Sequence, residues 1–159
     1  MPNVRDRIRI PEQDFPAIIE AGRTLQVASN GPRGYPHLVA MWYAVVDGVI
    51  TFTTYTKSQK IRNLQRDSKI TVMLESGVEY NELKGLVIEG EAELIIGDAE
   101  YTARVMAFVG AKHAGLPVPA ADAPVAATPQ STKRCVVRVH PTHTRSWDHS
   151  GLAGGGYGS

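Results

Sequence analysis

The stretch Pro36-His37-Leu38-Val39-Ala40-Met41-Trp42-Tyr43-Ala44-Val45-Val46-Asp47-Gly48-Val49-Ile50-Thr51-Phe52-Thr53-Thr54-Tyr55 decides the fold. It reads as one long apolar strand from Pro36 to Val46, a two-residue turn at Asp47-Gly48, and a returning strand from Val49 to Tyr55. Asp-Gly between two apolar runs is a strong hairpin signal, because the tight turn needs residues that tolerate positive φ. The next segment, Lys57 to Arg66, changes period and reads as a short helix. Ile61 and Leu64 recur at helical spacing and face inward, while Lys60, Arg62, Asn63 and Arg66 stay in water. Asp67-Ser68 closes it.

Upstream, Pro11 to Ala21 is helical, with Phe15, Ile18 and Ile19 on its apolar side and Gly22 as the stop. Thr24 to Ser29 alternates as a strand, and Asn30-Gly31-Pro32-Arg33-Gly34 is a turn cluster. Downstream come a strand from Lys69 to Leu74, a polar loop from Glu75 to Glu82, and a long alternating strand from Leu83 to Ile96. Gly90 is the expected bend point in that strand. Gly97-Asp98 caps a helix from Ala99 to Lys112, with Tyr101, Val105, Phe108 and Val109 on its apolar side. Leu116 to Thr132 is an Ala/Pro-rich loop. Two strands follow, Lys133 to His140 and Thr142 to Asp148. The pattern predicts a mainly β fold of six to seven antiparallel strands, closed into a barrel because closure removes exposed sheet edges. A parallel doubly wound sheet is disfavoured, since strands and helices do not alternate and no G-x-G-x-x-G follows a strand.

The chain has 159 residues, enough for one domain, placed at residues 1–150 with a Gly-rich tail at 151–159 expected to be mobile. Hydrophobic residues make up 43% and charged residues 21%, so a core can form without disulfides or metal. The formal net charge of +1 gives no bulk support for nucleic-acid binding. A single cysteine, Cys135, excludes an internal disulfide framework and argues against a thiolate zinc site. No apolar leader or membrane-length run is present, so a soluble, cytoplasmic protein with no membrane partner is expected.

Chemistry concentrates where the returning strand enters the helix. A helix start leaves backbone N–H groups unpaired and carries partial positive charge. Ser58 adds a hydroxyl there, Lys57 and Lys60 add cations, and Thr53 and Thr54 stand at the strand end. Together they form a seat for a phosphate. The same residues also describe a solvated basic helix face with Ser58 as its N-cap. Met41-Trp42-Tyr43 offers a wall for a flat tricyclic ring, and equally suits a core strand.

The run from Pro36 to Trp42, then Ile50-Thr51-Phe52-Thr53-Thr54, then Lys57-Ser58-Gln59-Lys60-Ile61-Arg62-Asn63-Leu64-Gln65-Arg66-Asp67 resembles the pyridoxamine 5'-phosphate oxidase-like split-barrel superfamily. The terminal Val137 to Asp148 resembles the last two strands of its flavin/deazaflavin-dependent oxidoreductase branch. The resemblance implies an FMN-binding split barrel of Greek-key type. It implies a homodimer with a cofactor in each interface groove. Lys57, Ser58 and Lys60 would hold the cofactor phosphate with Thr53 or Thr54. Val39, Ala40, Met41 and Trp42 would lie along the ring, with Arg62 and Asn63 completing the set. Trp147 would come from the partner subunit or line the mouth. Where pyridoxamine phosphate oxidases carry Arg-Lys after the serine, this chain has Gln59-Lys60. That form is similar to binders of the deazaflavin coenzyme F420, whose anionic tail would suit Arg62 and Arg66; FMN is the alternative. The implied activity is hydride transfer from the reduced cofactor to a conjugated, unsaturated small molecule. A non-catalytic carrier of a flavin, deazaflavin or tetrapyrrole is the competing class. No catalytic side chain is assigned; His37 and Tyr43 are candidates by position alone.

His140, His143 and His149, with Asp148, have spacing compatible with a metal. In a regular strand His140 and His143 point to opposite faces, so no metal site is expected. Glu89, Glu91 and Glu93 share one strand face and read as a solvated exterior.

Overall fold

The computed structural model describes residues 3–152. Its elements are α1 (Val4–Arg7), α2 (Phe15–Ala21), β1 (Thr24–Asn30), β2 (Pro36–Trp42), β3 (Ala44–Val46) and β4 (Val49–Tyr55). After these come α3 (Gln59–Arg66), β5 (Lys69–Ser76), β6 (Lys84–Ile95), α4 (Ala99–Ala114) and β7 (Arg134–Asp148). The seven strands form one curled antiparallel sheet in the order β2-β1-β5-β6-β7-β4-β3. The expected mainly β, antiparallel split barrel is therefore observed, but the sheet is curled and not closed, since β2 and β3 end the order as edges that do not pair with each other. No helix among the described residues is long and apolar enough to cross a membrane.

The predicted Pro36–Val46 strand is one length of chain with two partners. Its first part, β2, pairs with β1 from Asn30↔Pro36 to Thr24↔Trp42. Its last part, β3, pairs with β4 from Ala44↔Thr51 to Val46↔Val49. Tyr43 marks the change. It is fully buried, and its hydroxyl donates to the Ile19 carbonyl at 2.5 Å. A Cβ on Gly22 would stand 2.4 Å from that hydroxyl, so α2 can end beside Tyr43 only on a glycine. The hairpin turn is as read: Asp47 (φ 51) and Gly48 (φ 76) both take positive φ.

The two predicted C-terminal strands are a single strand, β7. Glu89 pairs with His143 and Gly90 with Pro141, leaving Thr142 as an extra residue in a bulge. The Thr142 hydroxyl donates to the Glu89 carbonyl at 3.1 Å. A Cβ on Gly90 would meet the His140 carbonyl oxygen at 2.4 Å, which explains the glycine at the bend. The bulge also corrects the expectation for the histidines. His140 pairs with Glu91 and His143 with Glu89, two residues of one β6 face, so the extra residue restores His140 and His143 to the same face. His140 Nε2 lies 2.6 Å from Glu93, which also pairs with Arg138, and Glu89 pairs with Arg145. Among the described residues no three His, Cys, Asp or Glu side chains converge on a metal position.

The core lies inside the curl and includes Leu25, Val27, Tyr43, Phe52, Val72, Leu86, Val137 and Val139. α3 caps one end through Ile61 and Leu64. α4 packs outside, where Phe108 and Val109 meet Ala44 and Val46. Thr102 and Ala103 are buried along with Val105 and Phe108, whereas Tyr101 is only half-buried. The Asp98 carboxylate accepts from the Tyr101 N–H at 2.9 Å, and Gly115 in the left-handed region ends the helix. The Ala/Pro-rich segment carries no strand or α-helix; a 3-10 turn at Ser131–Lys133 leads into β7. Residues 149–152 form another 3-10 turn, so the start of the Gly-rich tail is ordered, and residues 153–159 lie outside the described residues.

Candidate functional site

The ladder between β3 and β4 stops at Ala44↔Thr51. Continued by two residues, it would set Trp42 opposite Thr53, but there β2 has turned away to pair with β1. A cleft of about 300 Å³ opens instead, lined from the strands by Met41, Trp42, Thr53 and Arg134. α4 closes its far side with Met106, Val109 and Gly110. No described strand pairs with the other edge of β2, so backbone groups along Val39–Trp42 face the split. Val39 and Met41 turn inward against the core, and Ala40 and Trp42 outward. Trp42 is 58% exposed, yet its indole stacks on the His113 imidazole at 4.0 Å with the rings 9° apart.

Below the split lies the strand-to-helix junction. The helix begins at Gln59 rather than Lys57, with Ser58 as N-cap in extended geometry. Its hydroxyl makes no cap bond to the first turn, so those N–H groups stay available to a ligand. The hydroxyl belongs to a short chain of donors. Lys60 Nζ donates to Thr54 Oγ1 at 2.9 Å, and Thr54 Oγ1 donates to Ser58 Oγ at 3.5 Å. With its lone pair engaged, Ser58 keeps its own proton free for an acceptor outside. Thr54 itself is buried at 3% exposure, so it reaches a ligand through Ser58, not directly.

The junction is positively charged without compensation. Among the described residues Lys57, Lys60, Arg62 and Arg134 form no ion pair with a carboxylate. Burial holds the Lys60 amine below the usual lysine range; the Cys135 sulfur partly offsets this and the Arg134 cation adds to it. Burial pushes the Cys135 thiol up, which fits a packed core thiol. An amine crowded by another cation and stripped of water is a seat that gains from an anion.

Asn63 and Trp147 are placed differently from the rest. Asn63 is fully buried; its amide donates to Ser29 Oγ at 3.0 Å and its carbonyl accepts from Gln59 Nε2 at 2.9 Å. It fastens α3 to β1 and does not face the split. Arg62 is exposed on α3, while Arg66 is tied to the Asn30 carbonyl at 2.5 Å. Trp147 lies over Gly85, at the far end of β7 from Val136, the partner of Thr53. It does not line the mouth of this protomer's cleft. His37 lines a separate hollow beside Gln59, and Tyr43 is packed in the core. Sequence reading missed Arg134, which follows the Ala/Pro loop, and the α4 residues of the cleft. Their signal was faint: Gly110 is a lone glycine inside a helix that runs through it unbroken, and Arg134 enters a strand otherwise apolar up to Val137.

A comparison with curated proteins finds no match. Among solved structures, a conserved hypothetical protein from Mycobacterium tuberculosis is 35% identical, covering 98% of each chain at a TM-score of 0.78. An F420 reductase is 22% identical, covering 85% of this chain and 98% of its own, with a TM-score of 0.63. A FAD-binding protein from Mesorhizobium loti is 18% identical over 86% of this chain and 94% of its own, also with a TM-score of 0.63. The sequence profile of pyridoxamine 5'-phosphate oxidase matches residues 12–148, nearly all of the barrel. On that match, the chain belongs to the pyridoxamine 5'-phosphate oxidase-like split-barrel family.

Proposed function

We propose that the protein is an oxidoreductase that uses a phosphate-bearing flavin-type cofactor, in first preference the deazaflavin F420. The observation that carries this is the uncompensated cationic junction at α3, set beside an open strand edge with an aromatic and thioether lining. Ser58, Lys57, Lys60 and the first-turn amides would hold the phosphate. The exposed backbone of Val39–Trp42 would read the polar edge of the ring, and Met41, Trp42 and Thr53 would bound it. A deazaflavin supplies hydride chemistry when bound, and the acceptor is a conjugated, unsaturated small molecule. The protein's part is to orient the ring, seat the anion and keep water from the cleft. Gln59-Lys60 in place of Arg-Lys, the exposed Arg62, and the fold shared with an F420 reductase support the deazaflavin; FMN is the alternative.

The functional unit in this reading is a homodimer in the cytoplasm. The outer sheet face carries Leu38 at 66% exposure and Ala40, with Ala28, Met73 and Val87 alongside in register. Such a face suits a second copy, whose Trp147 would then reach the cleft that this protomer's own Trp147 does not.

Titration of F420 and FMN into wild type, Lys57→Ala and Lys60→Ala tests the seat. Each loss should cost about 1.5–3 kcal/mol of cofactor affinity. Full affinity in both folded variants places the phosphate elsewhere. Tight cofactor binding without turnover over enones, quinones and tetrapyrroles makes the protein a carrier.

A further inference from the structure

We infer that His113 is a positioning residue for Trp42 and works as a proton-sensitive latch: the neutral imidazole holds the indole flat against the end of α4, and the imidazolium lets it go. The latch itself needs no cofactor; its consequence for the split rests on the oxidoreductase reading.

The two rings stack at 4.0 Å and 9° from parallel, which ties the edge strand β2 to the last turn of α4. Trp42 is 58% exposed, so the indole has little other contact to keep it there. The backbone of His113 is better fixed. Its carbonyl accepts from the Arg23 guanidinium at 3.0 Å, and Gly115 in the left-handed region closes the helix just beyond it. A change at the imidazole therefore moves the indole before it moves the helix.

The groups around the imidazole decide how it takes a proton. Lys112 stands beside it on α4, with Nζ 3.8 Å over the Tyr43 ring. Arg23 approaches from the segment between α2 and β1. Both are cations, and both resist a third charge on the ring. Glu20 on α2 acts on Lys112 and forms no ion pair with His113. Across the indole, the cleft carries one further cation, Arg134. His113 Nε2 is buried with no hydrogen-bond partner among the described residues. A neutral ring accommodates this by keeping its proton on Nδ1 and leaving Nε2 bare. An imidazolium carries a proton on both nitrogens, so one N–H would be buried without an acceptor. The indole face does attract a cation. That single attraction is set against burial, two neighbouring cations and an orphaned donor, and the pKa lies below its ordinary 6.5. The charged ring gains by turning out to water, and the stack then parts.

A freed indole stands beside Thr53, at the place given to the cofactor ring. In the oxidoreductase reading it competes for that space, so cofactor affinity falls as His113 is protonated.

Fluorescence anisotropy decay of the cofactor-free full chain in a Trp147→Phe background reads Trp42 alone. From about pH 8 down to about pH 5, the fast local component should grow at least about twofold with His113 in place. His113→Phe keeps a stacked ring that cannot titrate, and should hold that component small throughout. His113→Ala has no ring to stack, and should show it large throughout. Fluorine NMR of 5-fluorotryptophan protein makes the same comparison with both tryptophans present, and far-UV dichroism confirms the fold at each pH. A Trp42 signal that ignores pH, or a pH response that survives in His113→Phe, overturns the latch. Titration of F420 and FMN at both ends of the range tests the consequence. Wild type should lose about tenfold more affinity in acid than His113→Phe does. Equal losses in the two proteins overturn the effect on the split. Release of Trp42 with no cofactor binding at either pH sinks the oxidoreductase role and keeps the latch; cofactor binding with a pH-indifferent Trp42 sinks the latch alone.

Discussion

The Trp42 indole and the His113 imidazole lie face to face, 4.0 Å apart and 9° from parallel. The stack joins the last turn of α4 to the strand that walls the split. Arg23 donates to the His113 carbonyl at 3.0 Å, and Lys112 Nζ sits 3.8 Å over the Tyr43 ring, so cations surround the imidazole. Burial first, then Arg23 and Lys112, hold the His113 pKa below its ordinary 6.5. As pH falls past 6.5 the unfolded chain takes up a proton that the folded chain refuses. The unfolded state then binds more protons, and stability drops with falling pH until the folded imidazole also titrates. Urea melts across this range should show that slope in wild type and a flatter one in His113→Gln.

Lys60 should be one of the two most reactive lysines of the free protein, with Lys112, whose amine burial also holds low. A lowered pKa leaves more neutral amine at a given pH. A bound phosphate reverses this by favouring the ammonium. Limited acylation read by mass spectrometry should label Lys60 ahead of the exposed Lys57 and Lys69, and cofactor should suppress the label at Lys60 first. Labelling that ignores cofactor would separate Lys60 from the phosphate.

Asn63→Leu should destabilise the fold by about 1–3 kcal/mol, because the buried Ser29 hydroxyl loses its partner and the Gln59 bond is lost with it. Loss of α3 anchoring should also weaken cofactor binding through the displaced Ser58, although Asn63 touches no ligand. Chemical denaturation and cofactor titration on the same variant separate the two effects.

Gly85→Ala should cost at least about 2 kcal/mol. Its Cβ would lie 2.4 Å from Trp147 and 2.5 Å from the Leu74 carbonyl oxygen, and the second of these is backbone. Trp147 would have to leave its place on β6, so a change in its fluorescence should accompany the lost stability.

The hairpin, the helix start and the alternation of β6 were legible because each depends on neighbours within a few residues. Asp47-Gly48 demands its own turn, and Ser58 to Leu64 carries its own period. What the sequence hid is set by distant pairing. Nothing local says that Tyr43 is where the chain leaves β1 for β4, since the apolar run continues unbroken to Val46. Pro141, which lacks an N–H, hinted at irregularity in β7. Only the pairing with Gly90 shows that one added residue shifts the phase and reunites His140 with His143. Thr54 and Asn63 looked like surface donors because polar residues are usually wet, and both turned out to be buried and bonded. Arg134 follows a long loop, so its approach to the split had no signature in spacing.

Because β2 and β3 are one backbone turning about Tyr43, the gap beside Thr53 behaves like the jaw of a lever whose pivot is fixed to α2. Enlarging the side chains inside the jaw narrows it, but the angle between its arms is set at the pivot. Substitutions at Tyr43 or Gly22 should therefore disturb the fold before they change the width of the jaw.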